Sequence, residues 1–225
     1  MHLKENGLIV SCQAINGEPF YGENIMPLFA KACVEGGAAG IRANGIEEIT
    51  EIKKKVQVPI IGIIKAEYPD SEVYITPTLK EVKALLETNV EVIALDATLR
   101  KRPNGENLEE LIRYIREQKP EIEIMADVST IEEAIEAEKF GFDYIGSTLR
   151  GYTSYTKGLP LPDIDFLSEM VKNLNTKVIA EGGIWETADL KNVIKTGVYA
   201  VVIGTAITRP REITRRFSLI LERQQ

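Results

Sequence analysis

Short runs of Val, Ile, Ala and Gly recur along the chain, and between them the apolar positions fall into a spacing of three and four. The runs are nearly continuous rather than alternating, which is the pattern of strands covered on both faces in a parallel sheet. They predict eight strands, over Leu8–Ala14, Ala39–Ala43, Pro59–Lys65, Val92–Ala97, Glu123–Val128, Tyr144–Leu149, Lys177–Gly182 and Ala200–Ala206. The segments between them predict amphipathic helices. In Leu108–Gln118, for example, Leu108, Leu111, Ile112 and Ile115 form one stripe, and Glu109, Arg113, Arg116 and Glu117 form the opposite one. Thr78 and Thr130 mark helix starts, with Glu133 placed to close a capping box on Thr130, and Gly36, Gly141 and Gly197 mark helix ends. Eight successive strand–helix units with right-handed crossovers predict an α/β chain closed into a (β/α)8 TIM barrel rather than an open doubly wound sheet.

A length of 225 residues suits one such barrel without large insertions, so residues 1–225 are expected to form a single domain. No GxGxxG, no GxxxxGK[ST] and no low-complexity linker interrupts the units, which removes the main support for a nucleotide-binding alternative. A formal charge of −7 argues against a nucleic-acid or membrane partner, since phosphate-rich surfaces are met with an excess of Lys and Arg. The first apolar run ends at Gln13, too soon for a signal-peptide core or a membrane span, so a cytoplasmic location is expected. Cys12 and Cys33 then read as reduced, buried residues. His2 is the only histidine and stands at the end of the chain, so a Ser-His-Asp arrangement or a His-rich metal site is not expected.

Chemistry on such a barrel belongs at the carboxyl ends of the strands, and those ends are polar here. In order they offer Gln13, Arg42, Lys65, Asp96, Asp127, Ser147 or Thr148, Glu181 and Thr205. A solvated rim is the bland account of that set, and convergence on a ligand is the functional one. Lys65 follows an aliphatic run that can desolvate its ammonium, and Glu181 is pinned at the end of an apolar strand across the barrel, so the two can approach one axial substrate in proton transfer. Strands seven and eight end in AEGGI and IGTAITRP, placing two glycine-bearing turns side by side. There the backbone of Gly183, Gly204 and Thr205, the start of a helix after Ala206 and the guanidinium of Arg209 predict a phosphate site. The longer connections Ala66–Pro77, Arg100–Asn107 and Gly151–Pro162 lie on the same face.

The runs LIVSCQA, GIRANG, PIIGIIK, VIALDAT, IMADVST, FDYIGSTLRGYTSYT, KVIAEGG and GTAITRPREITRRF resemble those of the bacterial N-acetylmannosamine-6-phosphate 2-epimerases of sialic-acid catabolism, in order and over nearly the whole chain. One departure is visible: Ala66 and Glu67 stand where that family usually has a basic residue and Asp. The resemblance implies epimerisation at C2 of a small phosphorylated amino sugar, without cofactor or metal. It implies Lys65 as acid/base with Glu181 as its partner, and substrate contacts from Gln13, Arg42 and Asp127. Two assignments stay open: Lys65 shuttles the proton while Glu181 balances it, or Glu181 abstracts while a charged Lys65 returns the proton or steadies O1. A Schiff-base aldolase at Lys65 and a non-catalytic phosphosugar sensor are the readings from other classes. The terminal helix carries Ile213, Phe217, Ile220 and Leu221 on one face, which either packs on its own barrel or makes a homodimer.

Overall fold

The protein is described from a computed structural model covering residues 2–222; Met1 and residues 223–225, the ends of the expected single domain, lie outside the described residues. The elements are β1 (Gly7–Cys12), α1 (Met26–Glu35), β2 (Gly40–Asn44), α2 (Ile46–Lys53), β3 (Ile60–Ile63), α3 (Leu79–Glu87), β4 (Val92–Asp96) and α4 (Leu108–Gln118). They continue as β5 (Glu123–Asp127), α5 (Ile131–Lys139), β6 (Tyr144–Gly146), α6 (Ile164–Asn173), β7 (Lys177–Glu181), α7 (Thr187–Ile194), β8 (Ala200–Ile203), α8 (Thr205–Thr208) and α9 (Pro210–Glu222). All strand pairs are parallel and run in sequence order, and β8 returns to β1, so the sheet closes into the expected (β/α)8 barrel.

Closure divides the apolar residues into two cores. One face of each strand points out to the helices, where Val10, Ile41, Ile60, Ile93, Ile124, Ile145, Val178 and Val201 meet Leu85, Leu111, Ile115, Phe166 and Met170. The other face fills the barrel with Ile9, Ile61, Ile63, Val92, Ala94, Met125, Tyr144, Ile179, Ala200 and Val202. Near-continuous apolar runs are therefore needed, because both faces are dry. The capping boxes form as drawn from the sequence: Thr130 N donates to Glu133 Oε2 at 3.0 Å and Glu133 N to Thr130 Oγ1 at 3.3 Å. At Thr78 the box closes with Glu81.

Every strand but β2, which runs one residue past Ala43, stops short of its predicted end, and β3 shows why. Its ladder with β4 holds two residue pairs, Ile61↔Val92 and Gly62↔Ile93, whereas β4 and β5 share five. Above Gly62 the returning segment Tyr74–Thr76 wedges between the two strands. Thr76 N donates to Ile64 O at 2.8 Å, Ala66 N to Tyr74 O at 3.0 Å and Asp96 N to Ile75 O at 3.0 Å, so Lys65 bridges Ile75 in an antiparallel sense. Thr76 reaches this position with φ 46, an uncommon conformation for a β-branched residue, and its Oγ1 donates to Ala94 O at 2.7 Å.

Gly36 caps α1 as expected, from the right-handed region, with the positive φ of 105 on Gly37; Gly141 and Gly197 follow the ends of α5 and α7 with positive φ. Cys12 is buried, but Cys33 is only partly so. The terminal helix does not settle onto its own barrel: α9 has no buried residue, and Phe217 and Leu221 are each 68% exposed. Among the described residues no helix is long and apolar enough to cross a membrane.

Glu48 of α2 carries a measurable consequence of this packing. Burial pushes its carboxyl up from 4.5 to about 7, and Oε2 has no hydrogen-bond partner. A carboxyl raised in the folded state binds more protons folded than unfolded, so stability is greater below the unfolded value and falls as pH rises towards the folded one. Urea unfolding from pH 4.5 to about pH 7 is expected to show that fall in the native chain and a flatter profile in Glu48→Gln. Equal slopes in the two proteins would remove the account.

Candidate active site

Side chains alternate along a strand, so every second residue continues the inward face. Counting upward in twos from the interior residues of each strand reaches Gln13, Arg42 and Asn44, Lys65, Asp96, Asp127, Thr148, Glu181 and Gly204. Apolar filling thus gives way to a polar top layer at one height. Above it opens a cavity of about 910 Å³, lined by Gln13, Arg42, Lys65, Thr148, Glu181, Gly183, Gly204, Thr205 and Arg209 among others.

Asp127 does not line the cavity and lies fully buried beneath it. Arg42, also buried, grips it with two bonds, Nη1 to Oδ1 at 3.0 Å and Nη2 to Oδ2 at 2.6 Å. Nη1 also stands 3.2 Å from Glu181 Oε2, so one guanidinium lies between two carboxyl groups. Thr148 Oγ1 touches both of them, at 2.6 Å from Asp127 Oδ1 and 3.1 Å from Glu181 Oε2. Ser147, the other candidate on β6, instead ties the backbone of Glu181, donating to its O and accepting from its N at 2.9 Å each. Asp96 is spent on the β4–α4 connection, where Arg100 Nη2 donates to it at 2.7 Å and Thr98 Oγ1 at 2.6 Å.

Lys65 stands at the end of the β3 wedge with its backbone N donating to Asn44 Oδ1 at 2.8 Å. Its side chain is open to cavity water but enclosed on its flanks. Desolvation and the Arg42 charge lower its pKa, and Glu181 and Asp127 oppose them; access to water keeps the net shift modest. Glu181 is pushed the other way: burial raises its pKa, the Asp127 charge adds to that, and Arg42 and Lys65 resist. Ammonium and carboxyl are therefore both moved towards neutrality. Tyr74, on the cavity wall, is raised to about 12 mainly by burial and remains a phenol.

At the other end of the cavity α8 is a single turn beginning at Thr205, two residues earlier than expected, with Gly204 preceding it. Arg209 pairs through Nη2 with Glu18 of the β1–α1 connection, and Arg211 shares the same carboxylate at 3.5 Å. Arg211 also pairs with Glu212 at 3.0 Å, so two guanidinium groups meet two carboxylates beside the glycine turns. Gly183 has φ 71, and a Cβ built on it would lie 2.3 Å from Leu161 Cβ and 2.6 Å from Leu161 C. Of the lining residues, Asn44 could have been read two places beyond Arg42; Glu18, which meets Arg209 from outside the lining and 191 positions away, carries no signal in the sequence.

A closed parallel barrel that brings a lysine, a glutamate and a glycine-bearing turn with an arginine to one cavity at its strand ends has the build of a (β/α)8 enzyme. A family model described as "Putative N-acetylmannosamine-6-phosphate epimerase" (NanE) matches residues 26–223. A Staphylococcus carnosus protein named as a putative N-acetylmannosamine-6-phosphate 2-epimerase is 56% identical over 94% of this chain and 95% of its own length. One of the same name from Caldanaerobacter subterraneus subsp. tengcongensis is 48% identical over 98% and 93%. The solved N-acetylmannosamine-6-phosphate 2-epimerase from Clostridium perfringens superposes with a TM-score of 0.93 at 51% identity, covering 97% of this chain and 94% of that one. The chain belongs to the N-acetylmannosamine-6-phosphate epimerase family. A thiamine phosphate pyrophosphorylase from Pyrococcus furiosus, at 20% identity and TM-score 0.62, shares the fold.

The crowding at Gly183 gives a paired test. Gly182→Ala meets a strained φ of 116 with its nearest neighbour at 4.0 Å, whereas Gly183→Ala adds a backbone clash to a strained φ. Conformational strain alone costs on the order of 1–2 kcal/mol. Urea unfolding is expected to show a loss of that order in Gly182→Ala and a larger one in Gly183→Ala; the reverse ranking would contradict the packing around Leu161.

Proposed function

We propose that this barrel interconverts N-acetylmannosamine 6-phosphate and N-acetylglucosamine 6-phosphate in the cytosol by moving the proton at C2. In the open-chain sugar C2 adjoins the C1 aldehyde, so deprotonation yields an enolate with its charge on O1. Return of a proton to either face then gives either epimer. The observation that carries the reading is Lys65 and Glu181 in one cavity, the first moved down towards a neutral amine and the second up towards a neutral acid. Lys65 serves as the base that opens the reaction, with Glu181 holding and balancing the proton.

The remaining residues divide between the two ends of the substrate. Gln13 donates through Nε2 to Ser11 Oγ at 2.8 Å, leaving Oε1 buried without a partner, an acceptor suited to the N–H of an N-acetyl group. Arg42 faces the cavity beside it with Nε unpaired, a donor suited to a sugar hydroxyl or O1. Asp127 acts from below by holding Arg42. Arg209 with the backbone of Gly183, Gly204 and Thr205 takes the 6-phosphate, exchanging part of the Glu18 pairing for a phosphate contact. Ala66 and Glu67, which depart from the family pattern, line the cavity next to Lys65 as part of its wall.

We also propose that a second copy of the chain covers the exposed face of α9. A single-domain barrel has no reason to leave Phe217, Ile220 and Leu221 in water, and an isologous helix contact would bury them. Sedimentation equilibrium is expected to give a dimer for the native chain and a monomer for Phe217→Glu; a native monomer would end the proposal.

The activity is tested by proton NMR in deuterated water with N-acetylmannosamine 6-phosphate. The native enzyme is expected to form the C2 epimer with deuterium at C2, and Lys65→Ala to lose at least ~100-fold in turnover, the usual range for a general acid/base. Undiminished C2 exchange in Lys65→Ala would exclude it as the abstracting base and pass that role to Glu181.

A further inference from the structure

Thr148 Oγ1 lies between two carboxyl groups and has one hydrogen to give. Its 2.6 Å contact with Asp127 Oδ1 has the length of an O–H donor on an ionised carboxylate, whereas 3.1 Å to Glu181 Oε2 is long for that bond. Asp127 also takes both prongs of the Arg42 guanidinium, whereas Glu181 takes neither as a hydrogen bond, so the short contact is the one that carries the Thr148 hydrogen. The hydrogen therefore goes to Asp127, and the hydroxyl turns a lone pair towards Glu181. Arg42 supplies no replacement donor: the hydrogens on Nη1 point to Asp127 Oδ1 and, at 3.8 Å, to Met125 Sδ, leaving the 3.2 Å approach to Glu181 outside hydrogen-bond geometry. Only a protonated Glu181 can make a hydrogen bond to this hydroxyl.

We propose that Thr148 is a positioning residue that keeps the exchangeable proton on Glu181, by donating its own hydrogen to Asp127 and accepting one from Glu181. The inference rests on the reading of Glu181 as a proton carrier and specifies how that carrier is loaded. The charged groups facing the Glu181 carboxyl are Arg42 from β2, Lys65 beyond β3 and Asp127 from β5; behind it, across the β6–α6 connection, Arg150 and Asp163 are paired with each other at 2.8 Å. Burial and Asp127 already favour the neutral acid, and Arg42 and Lys65 the carboxylate; Thr148 would join the latter only as a donor to Glu181, and its one hydrogen is held by Asp127 at the shorter distance. With those influences opposed, the direction of one hydrogen bond matters. A Thr148 that donated to Glu181 would favour the carboxylate, so the two arrangements predict opposite shifts.

The test follows the Glu181 carboxyl carbon by 13C NMR in protein labelled at glutamate, the resonance being assigned by its absence in Glu181→Gln. Thr148→Val preserves the shape and removes the hydroxyl. Its Glu181 titration is expected to move to lower pH by roughly one unit, the size of one hydrogen bond. Thr148→Ser, which restores the hydroxyl, is expected to return it to the native position, and the limb of the kcat/KM profile that reports Glu181 is expected to move in step. A shift to higher pH in Thr148→Val, or none, overturns the proposal. If Glu181→Gln turns over at the native rate, the proton-carrier reading fails by itself, since the titration is read without substrate and still decides the direction of the Thr148 bond.

Discussion

At the top of the barrel interior Arg42 and Asp127 form an ion pair with no water around either charge, and the layer above depends on it. Burying a charge is costly, and removing one member of such a pair costs about 3–5 kcal/mol because the other is left uncompensated. The pair marks the change from apolar filling to chemistry. Below it Met125 fills the axis, in the space left by Gly146, where a Cβ would lie 2.3 Å from the methionine Cε. Above it Glu181 and Thr148 rest on its charges, so any change in the pair is felt at the Glu181 carboxyl first.

The second constraint is the wedge of residues 74–76 between β3 and β4. A regular parallel ladder would leave Lys65 in register with its β4 neighbour, but the wedge satisfies the backbone above Ile63 from a different strand direction. It is held by a strained Thr76 whose hydroxyl donates to β4 and whose amide donates to β3. Strain of this kind persists where surrounding contacts over-determine it. Its structural effect is to carry Lys65 beyond the ladder while the Asn44 side chain fixes its amide.

Much of this was legible from the pattern of the chain, because closure and alternation are both periodic. Continuous apolar runs gave the number of strands, and a step of two from each interior residue leads to Gln13, Arg42, Lys65 and Glu181. Periodicity carries no depth, however. It could not say that Asp127 stops below the cavity while Thr148, one strand along, reaches into it. Nor could it find the wedge, whose Tyr74 and Ile75 sit in a connection without strand period, or Glu18, whose meeting with Arg209 is made by the chain returning past β1. The particular substrate came from the resemblance of whole motifs, since a barrel top with a lysine, a glutamate and a phosphate-binding rim admits several reactions.

The charges at the reacting centre explain why such fine effects can govern it. Arg42 and Asp127 cancel, and Lys65 with Glu181 sum to zero whether they stand as amine and acid or as ammonium and carboxylate. Moving a proton from one to the other therefore leaves the net charge of the layer unchanged, and the large terms, burial of Glu181 and its attraction to Arg42, act in opposite directions. Single hydrogen bonds, about 1 kcal/mol each, act on top of that opposition. A centre balanced in this way can pass a proton to or from carbon in either direction without a large change in its own stability, and a reversible epimerisation between two sugars of similar energy needs that property.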